Sequence, residues 1–160
     1  MEVLARILGM LGDAAVDFRR LEHEPTLTSE ESARVRGEPL EIGGKAIVVK
    51  ADQDFHLVVV SAACRLQSSR LKRALKARKI RFATSDELRE LTGLVPGSIP
   101  PFGRPVLPLT LHVDQSVMEQ SSIAFNAGSL TNSIIMDRDD WYVLAGKPSV
   151  IDVADTGNQC

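Results

Sequence analysis

The stretch that most constrains the fold is an apolar run preceded by two glycines, Gly43-Gly44-Lys45-Ala46-Ile47-Val48-Val49-Lys50. Its centre, Ala46 to Val49, is apolar and mostly β-branched, which is typical of a buried strand. The two glycines permit backbone angles and close approaches that other residues do not allow. A strand that is apolar on both faces needs structure packed on each side, so this stretch predicts the middle of a sheet.

Lys45 stands where this strand begins. Its long stem and ammonium group must either reach solvent or face a polar cleft. The stretch alone favours a solvated lysine at a strand end, because lysine is rarely buried. Two other segments favour a cleft, since their glycines and prolines are suited to closing a pocket around Lys45: the loop from Gly93 to Pro105 and the Asn126-Ala127-Gly128 corner.

The next apolar run, residues 55–63, follows residues 44–51 after Asp52-Gln53-Asp54, and this arrangement is typical of a β-hairpin. Periodicity and capping boxes predict helices over residues 2–12, 28–36, 67–78, 84–93 and 137–144. Periodicity also predicts further strands over residues 16–22, 80–83, 106–113, 122–127, 130–136 and 149–153. Pro108 cannot donate to a ladder, so the strand over 106–113 is expected at a sheet edge or a bulge.

This order of elements has no βαβ rhythm. Seven or so strands among four or five helices therefore predict a mixed α+β fold. The length of 160 residues suits one well-cored domain spanning residues 1–160.

Composition excludes several classes of protein. A net charge of −2 fits neither a polycation that coats nucleic acid nor an acidic disordered tail. Cys64 and Cys160 have no CxxC spacing and no histidine at ligand distance, so no metal site is predicted. The amphipathic N-terminal segment is too short and too charged for a signal peptide or a membrane span, and we expect a cytoplasmic protein.

Positive charge is concentrated between Arg65 and Arg81, a segment without a single acid. A solvated helix usually mixes signs, so this segment favours contact with nucleic-acid phosphates over a merely solvated face. Helical spacing puts Arg73 and Lys76 on one face, with Lys72 and Lys79 beside it. The candidate phosphate-binding residues are Arg70, Lys72, Arg73, Lys76 and Lys79.

Residue patterns for nucleophilic or metal chemistry are missing from the sequence. The three histidines, His23, His56 and His112, are far apart and fit no ligand pattern. His56 and His112 interrupt apolar strands and are expected to face outwards or to form structural hydrogen bonds. No serine lies in a nucleophile elbow, and no glycine-rich phosphate loop is present.

Three blocks of the chain resemble the YbaK/prolyl-tRNA editing family, the freestanding relatives of the insertion domain of bacterial prolyl-tRNA synthetases. The first block runs from His23 to Ala33 and contains His23-Glu24-Pro25 and Thr28-Ser29-Glu30-Glu31. The second is Gly44-Lys45 and the strand to Asp52. The third runs from Thr92 to Gly103 and contains a GxxxP pattern as Gly97-xxx-Pro101, and a weaker fourth is Phe125-Asn126-Ala127-Gly128.

The resemblance implies an enzyme that hydrolyses amino acids wrongly attached to tRNA, without metal or cofactor. It implies a mixed, largely antiparallel, curved or barrel-like sheet of about six or seven strands surrounded by helices. Lys45 matches the lysine required for activity, and Gly97 and Pro101 match the loop that shapes the aminoacyl pocket. The substrate-binding residues implied in this way are Gly97, Ser98, Ile99, Pro100, Pro101, Asn126 and Gly128.

An activated ester needs no side-chain nucleophile, because a held water, the substrate's ribose hydroxyl and backbone amides suffice. Lys45 would orient the terminal adenosine or offset its negative charge. Many family members have a polar residue after this lysine, whereas this chain has Ala46. That departure favours an alternative, a non-catalytic module that binds tRNA or a synthetase. A third possibility is a hydrolase of small esters or amides that uses the same pocket. The oligomeric state and any synthetase partner are left open.

Overall fold

The computed structural model of the protein describes residues 2–155, and Cys160 lies outside them. The helices in this range are α1 (Glu2–Ala14), α2 (Ser29–Arg36), α3 (Ser68–Leu75), α4 (Ser85–Thr92), α5 (Gln115–Met118) and α6 (Arg138–Leu144). The strands are β1 (Phe18–Glu22), β2 (Gly44–Ala51), β3 (Asp54–Ser61), β4 (Arg65–Leu66), β5 (Ile80–Phe82), β6 (Thr110–Asp114), β7 (Ser122–Asn126), β8 (Asn132–Asp137), β9 (Ser149–Ile151) and β10 (Ala154–Asp155). The predicted α+β class is confirmed.

These strands form three sheets. The largest has the order β5-β2-β3-β6-β9, the second β1-β8-β7, and β10 pairs with β4. Most pairs are antiparallel, but β6 runs parallel to both β3 and β9. The sheets of the described chain are not closed into a barrel. A parallel bridge between Gly43 and Ala124 joins the two larger sheets at the start of β2.

The hairpin β2–β3 lies inside the five-stranded sheet, as its two apolar faces predicted. Alternate residues enter two hydrophobic cores: Val48, Leu57 and Val59 pack into the larger core, whereas Val58 and Val60 pack into the smaller one. Side chains alternate along a strand, so both faces of this hairpin are covered. The predicted central position is therefore confirmed.

The strand predicted over residues 106–113 is wrong in extent and in position. β6 begins only at Thr110 and lies between β3 and β9, with a neighbour on each side. Pro108 lies in the bend at residues 107–109 that precedes the strand. Val106, Leu107 and Leu109 are buried in the larger core, so their apolar pattern reflects a loop packed inwards and not an edge strand.

The basic helix is shorter than the predicted span of residues 67–78. Helix α3 ends at Leu75 because Lys76 adopts the left-handed conformation, with a φ of 54°. Its backbone N–H donates to the carbonyl oxygens of Arg73 and Lys72, which closes the last turn. Lys76 and Lys79 therefore lie beyond the helix, and the prediction that Arg73 and Lys76 share a helical face is wrong.

Asp114 holds β10 and the residue before it in place beside β4. Its buried carboxylate accepts hydrogen bonds from the amides of Val153 (2.7 Å) and Ala154 (3.1 Å). Val153 and Ala154 share the smaller core with Cys64. The chain at Cys64 is therefore held in place by packing against Val153 and Ala154.

His56 and His112 form a hydrogen-bonded pair on β3 and β6, in line with a structural role. Nδ1 of His56 lies 3.1 Å from Nε2 of His112, and Nδ1 of His112 lies 3.0 Å from the Ser149 hydroxyl. Burial lowers the pKa of His112 to about 4, and the charge of His56 adds to this effect. Burial also lowers the pKa of His56, with Asp54 opposing it.

We expect the free energy of unfolding to fall as the pH drops from about 6.5 to about 4. In this range the unfolded chain takes up protons at residues 56 and 112 that the folded protein binds poorly. Each such proton adds a slope of up to about 1.4 kcal/mol per pH unit. Urea unfolding of wild type and His112→Gln at a series of pH values measures this contribution as the difference between their slopes. Identical slopes would contradict it.

Candidate active site

A cavity of about 270 Å³ opens where the two larger sheets meet, at the glycine pair that precedes and begins β2. A Cβ on Gly44 would lie 2.8 Å from Cδ1 of Ile123, and one on Gly43 would lie 2.9 Å from Cβ of Ala62. A side chain at either position could enter only if Ile123 or Ala62 moved, so the chain approaches closely here because both residues are glycine. The lining residues are Thr26, Leu27, Thr28, Ser29, Ser32, Ala33, Arg36, Leu40, Gly43, Gly44, Lys45, Ala46, Ala62, Gly97, Ile99 and Asn126.

Lys45 is half-buried in the wall of this cavity, and the solvated strand-end position is not what the structure shows. Its Nζ atom donates a hydrogen bond to the carbonyl oxygen of Cys64 (3.3 Å). Burial lowers the pKa of the Lys45 ammonium; the charge of Arg65 adds to this effect and that of Glu30 opposes it. A lowered pKa makes the ammonium a stronger proton donor toward a bound group.

Three of the predicted substrate-binding residues, Gly97, Ile99 and Asn126, line the cavity with Lys45. Gly97 has a φ of 89°, a conformation that favours glycine. Nδ2 of Asn126 donates to the Gly97 carbonyl oxygen at 2.7 Å and so ties the loop to the end of β7. The structure therefore brings together the lysine, the loop glycine and the asparagine that the sequence singled out.

The other four predicted substrate-binding residues lie outside the cavity lining. The Ser98 hydroxyl donates to the Val95 carbonyl oxygen within its own loop. Pro100 and Pro101 are buried, and the Pro101 carbonyl oxygen accepts from the indole of Trp141. Gly128 packs against α1, where a Cβ would lie 2.8 Å from Cγ1 of Val3. Their roles in substrate binding stay predictions.

Sequence reasoning missed Arg36, the last residue of α2. Its Nε atom donates to the Ser133 hydroxyl and its Nη2 atom to Oδ1 of Asn126, both at 3.0 Å. Burial lowers the pKa of Arg36 to about 10. The available signal was its place at the end of the capping-box helix, just before Gly37. Its partners are about ninety residues away in the chain, so the sequence pattern could not pair them.

Hydroxyl groups from the segment before α2 and its first turn form one wall of the cavity. The hydroxyls of Thr26 and Ser32 lie 2.8 Å apart, and that of Thr28 accepts from the Glu31 amide as the helix cap. His23 lies 2.8 Å from the Ser133 hydroxyl, which is not among the cavity-lining groups. No lining hydroxyl within residues 2–155 is hydrogen-bonded to an imidazole, so the wall offers polar contacts and not a nucleophile–base pair.

A second, basic cleft of about 370 Å³ lies near the other end of β2 and is lined by Lys50, Asp52, Lys72, Arg78, Lys79, Ile80 and Arg81. It includes Lys72 and Lys79 from the predicted phosphate-binding set, and both are exposed. The carboxylate of Asp52 accepts from the amides of Arg78 and Lys79 and so shapes the cleft.

The other three residues of that set lie outside the cleft. Arg70 pairs with Asp152 and donates to the Ala154 carbonyl oxygen. Arg73 and Lys76 are exposed near the end of α3.

Two further properties concern the part of the chain that the structure describes. It contains no group of three His, Cys, Asp or Glu side chains placed to hold a metal ion. Among its helices, none combines the length and the apolar character needed to cross a membrane.

Comparisons with known proteins identify the family of this chain and several of its relatives. The model of the aminoacyl-tRNA editing domain family matches residues 23–143, a span that includes all the cavity-lining residues. The chain is 32% identical over 152 residues to the Multifunctional Ser/Thr-tRNA deacylase ProXp-y of Escherichia coli K12, covering 91% of this chain and 89% of that protein. It is 19% identical over 145 residues to the prolyl-tRNA editing protein ProX of Acetoanaerobium sticklandii, covering 88% of each.

A crystal structure of a candidate trans-editing enzyme for prolyl tRNA synthetase has the same fold. It superposes with a TM-score of 0.82 at 24% sequence identity, covering 97% of this chain and 98% of that one. At this identity the likeness concerns the fold alone.

Proposed function

The chain belongs to the aminoacyl-tRNA editing domain family, and on that premise we propose that it is a trans-acting hydrolase that removes amino acids from mischarged tRNA. The observation that carries the proposal is the cavity that unites Lys45, Gly97 and Asn126. We propose further that residues 1–160 act as one editing domain, in the cytoplasm. Association with a synthetase belongs to the same proposal.

Hydrolysis of the aminoacyl ester needs little covalent help from the protein. A water oxygen attacks the ester carbonyl carbon, the bond to the ribose oxygen breaks, and the proton passes to that oxygen. The products are the free amino acid and a tRNA with its terminal hydroxyls restored. Holding the water and the ribose hydroxyl against the ester supplies the acceleration by proximity, and fixed dipoles stabilise the developing charge. In this proposal Lys45 orients the terminal adenosine against the ester and does not itself attack.

The size of the cavity bears on how much of the substrate enters it. Ligand pockets commonly occupy about 300–1,000 Å³, so a cavity of about 270 Å³ suits only the end of the substrate, namely the aminoacyl group and the terminal nucleotide. The rest of the tRNA must bind outside. We propose that the basic cleft, with Lys72 and Lys79, contacts its phosphates.

The decisive experiment is release of amino acids from a panel of mischarged tRNAs by the purified protein. Ser-tRNA and Thr-tRNA come first in the panel, since a relative is named a Ser/Thr-tRNA deacylase. Release from at least one member supports an enzyme. Binding of tRNA without release from any member would favour a non-catalytic module that binds tRNA, the alternative that Ala46 keeps open. Turnover of small esters alone would favour a hydrolase of small esters or amides.

Reversing Lys72 and Lys79 to glutamate is expected to raise the KM for tRNA about tenfold and to flatten its salt dependence. Two phosphate contacts correspond to a slope change of about 1.4 to 1.8 in log Kd against log salt. The turnover number should change much less, because these residues lie far from Lys45. Arg73→Glu with Lys76→Glu is the matched control, because it makes the same change in charge outside the cleft. Equal effects of both double variants would mean that net charge alone matters.

A further inference from the structure

The charges that line the cavity are all of one sign. Its lining residues include the guanidinium of Arg36 and the ammonium of Lys45 and contain no aspartate or glutamate. No ion pair is formed by either cation within residues 2–155, whereas Arg19 and Arg81 each pair with a glutamate. The cavity is therefore suited to a ligand that brings negative charge.

Arg36 has hydrogen-bonding capacity to spare. Its two bonds go to neutral oxygens, on Ser133 and Asn126. Its Nη1 atom has no protein acceptor among the described residues, and it faces the glycine pair, 3.8 Å from where a Cβ of Gly43 would be. A Cβ on Gly43 would make only ordinary van der Waals contact with Nη1, and with glycine there the position beside Nη1 stays open.

The charge of Arg36 is partly removed from water, and no carboxylate within residues 2–155 forms an ion pair with it. Burial lowers its pKa to about 10, which still leaves the guanidinium protonated at neutral pH, and no carboxylate offsets that effect. A desolvated, unpaired charge is unfavourable in the free protein, and an anion in the cavity would relieve it. A guanidinium with a free N–H group is also the side chain best matched to phosphate oxygens.

The proposed substrate has one anion near its reacting end. The amino acid carries a positive ammonium group and the ester is neutral, whereas the terminal nucleotide carries a phosphate on its ribose. We propose that Arg36 binds the phosphate of the terminal nucleotide of tRNA through its free Nη1 group, beside Gly43. This inference rests on the proposed function, and it assigns to Arg36 a binding contact separate from that of Lys45.

The test compares AMP with adenosine, which differ only in that phosphate. Isotope-labelled protein is titrated with each compound, and the amide signals of Gly43, Gly44 and Gly97 are followed by NMR, which detects millimolar affinities. Wild type is expected to bind AMP about tenfold to a hundredfold more tightly than adenosine, as for hydrogen bonds to charged groups. Arg36→Gln should remove this preference, and Arg36→Lys should keep part of it.

The matched control is Arg34→Gln, two residues earlier on α2, where the arginine is exposed and does not line the cavity. This variant should keep the full preference for AMP. Equal affinities of AMP and adenosine in wild type, or no shift with either, would overturn the inference. A preference that survives in Arg36→Gln and vanishes in Lys45→Gln would overturn it as well.

Deacylation assays separate this inference from the proposed function. Amino-acid release without a preference for AMP would remove the role of Arg36 and leave the enzyme. A preference for AMP without release from any mischarged tRNA would remove the enzyme and leave a nucleotide-phosphate site. With both present, Arg36→Gln should raise the KM for tRNA, and a loss confined to kcat would contradict a binding role.

Discussion

Replacing Lys45 by alanine is expected to slow deacylation about a hundredfold and to leave the fold intact, which corresponds to about 2.7 kcal/mol of transition-state stabilisation. The side chain contributes one hydrogen bond, to the Cys64 carbonyl oxygen, while the β2 ladder uses only its backbone. Single-turnover rates on saturating mischarged tRNA measure the effect. Urea unfolding of the same variant verifies the fold.

The control for Lys45 lies on the same strand. Lys50 is five residues further on, so its side chain leaves the opposite face of β2, and its Nζ atom lies 5.6 Å from the centre of the Phe55 ring. Lys50→Ala removes the same chemical group outside the cavity, and its rate at saturating tRNA should stay near that of wild type. A wild-type rate in Lys45→Ala would exclude the role assigned to this lysine.

Replacing Gly97 by alanine is expected to lower both stability and activity. A φ of 89° is strained for alanine and costs about 1 kcal/mol, and the added Cβ would lie 3.3 Å from Cδ2 of Leu130. The Gly97 carbonyl oxygen accepts a hydrogen bond from Asn126, which lines the cavity. A backbone shift that relieves the contact between the added Cβ and Leu130 therefore also moves the cavity wall. We expect the rate to fall about tenfold under conditions where the variant is fully folded, since misplacement of a positioning group can cost up to about a hundredfold.

Gly93 provides the matched control for this substitution. It has a φ of 74° and ends α4, and a Cβ added there would meet no atom within 4 Å beyond its chain neighbours. Gly93→Ala therefore carries the same backbone strain away from the cavity. Its rate per folded molecule should equal that of wild type. If both variants lose activity in proportion to stability, Gly97 is a turn residue only.

How far the fold could be predicted depended on whether local pattern and tertiary packing agreed. They agreed in the hairpin β2–β3, where apolar residues on both faces required cover on both sides. They disagreed before β6, where buried loop residues imitated a strand. They disagreed also at Lys76, which ends α3 in the left-handed conformation. Glycine is the residue that usually marks such a helix end in a sequence, and lysine does not.

The residues of the candidate site also fall into two groups, those that local sequence could predict and those that it could not. Lys45, Gly97 and Asn126 were found because short motifs place them, and the cavity brings them together. Arg36 was not found, since its significance lies in what surrounds it: neutral partners on β7 and β8, a neighbouring glycine and the lack of any acid in the lining. A charge without a counter-ion is a property of the packed structure, and periodicity does not reveal it.

Strand β2 fixes the spacing between Lys45 and Lys50 along the sheet. It carries Lys45 into the cavity and Lys50 into the basic cleft, five residues or about 17 Å apart at 3.3 to 3.4 Å per residue. The ladder with β3 runs along its whole length and β5 pairs with its far end, so this interval cannot stretch without breaking backbone hydrogen bonds. A tRNA that contacts both the cavity and the cleft would therefore meet them at a separation that the sheet holds constant.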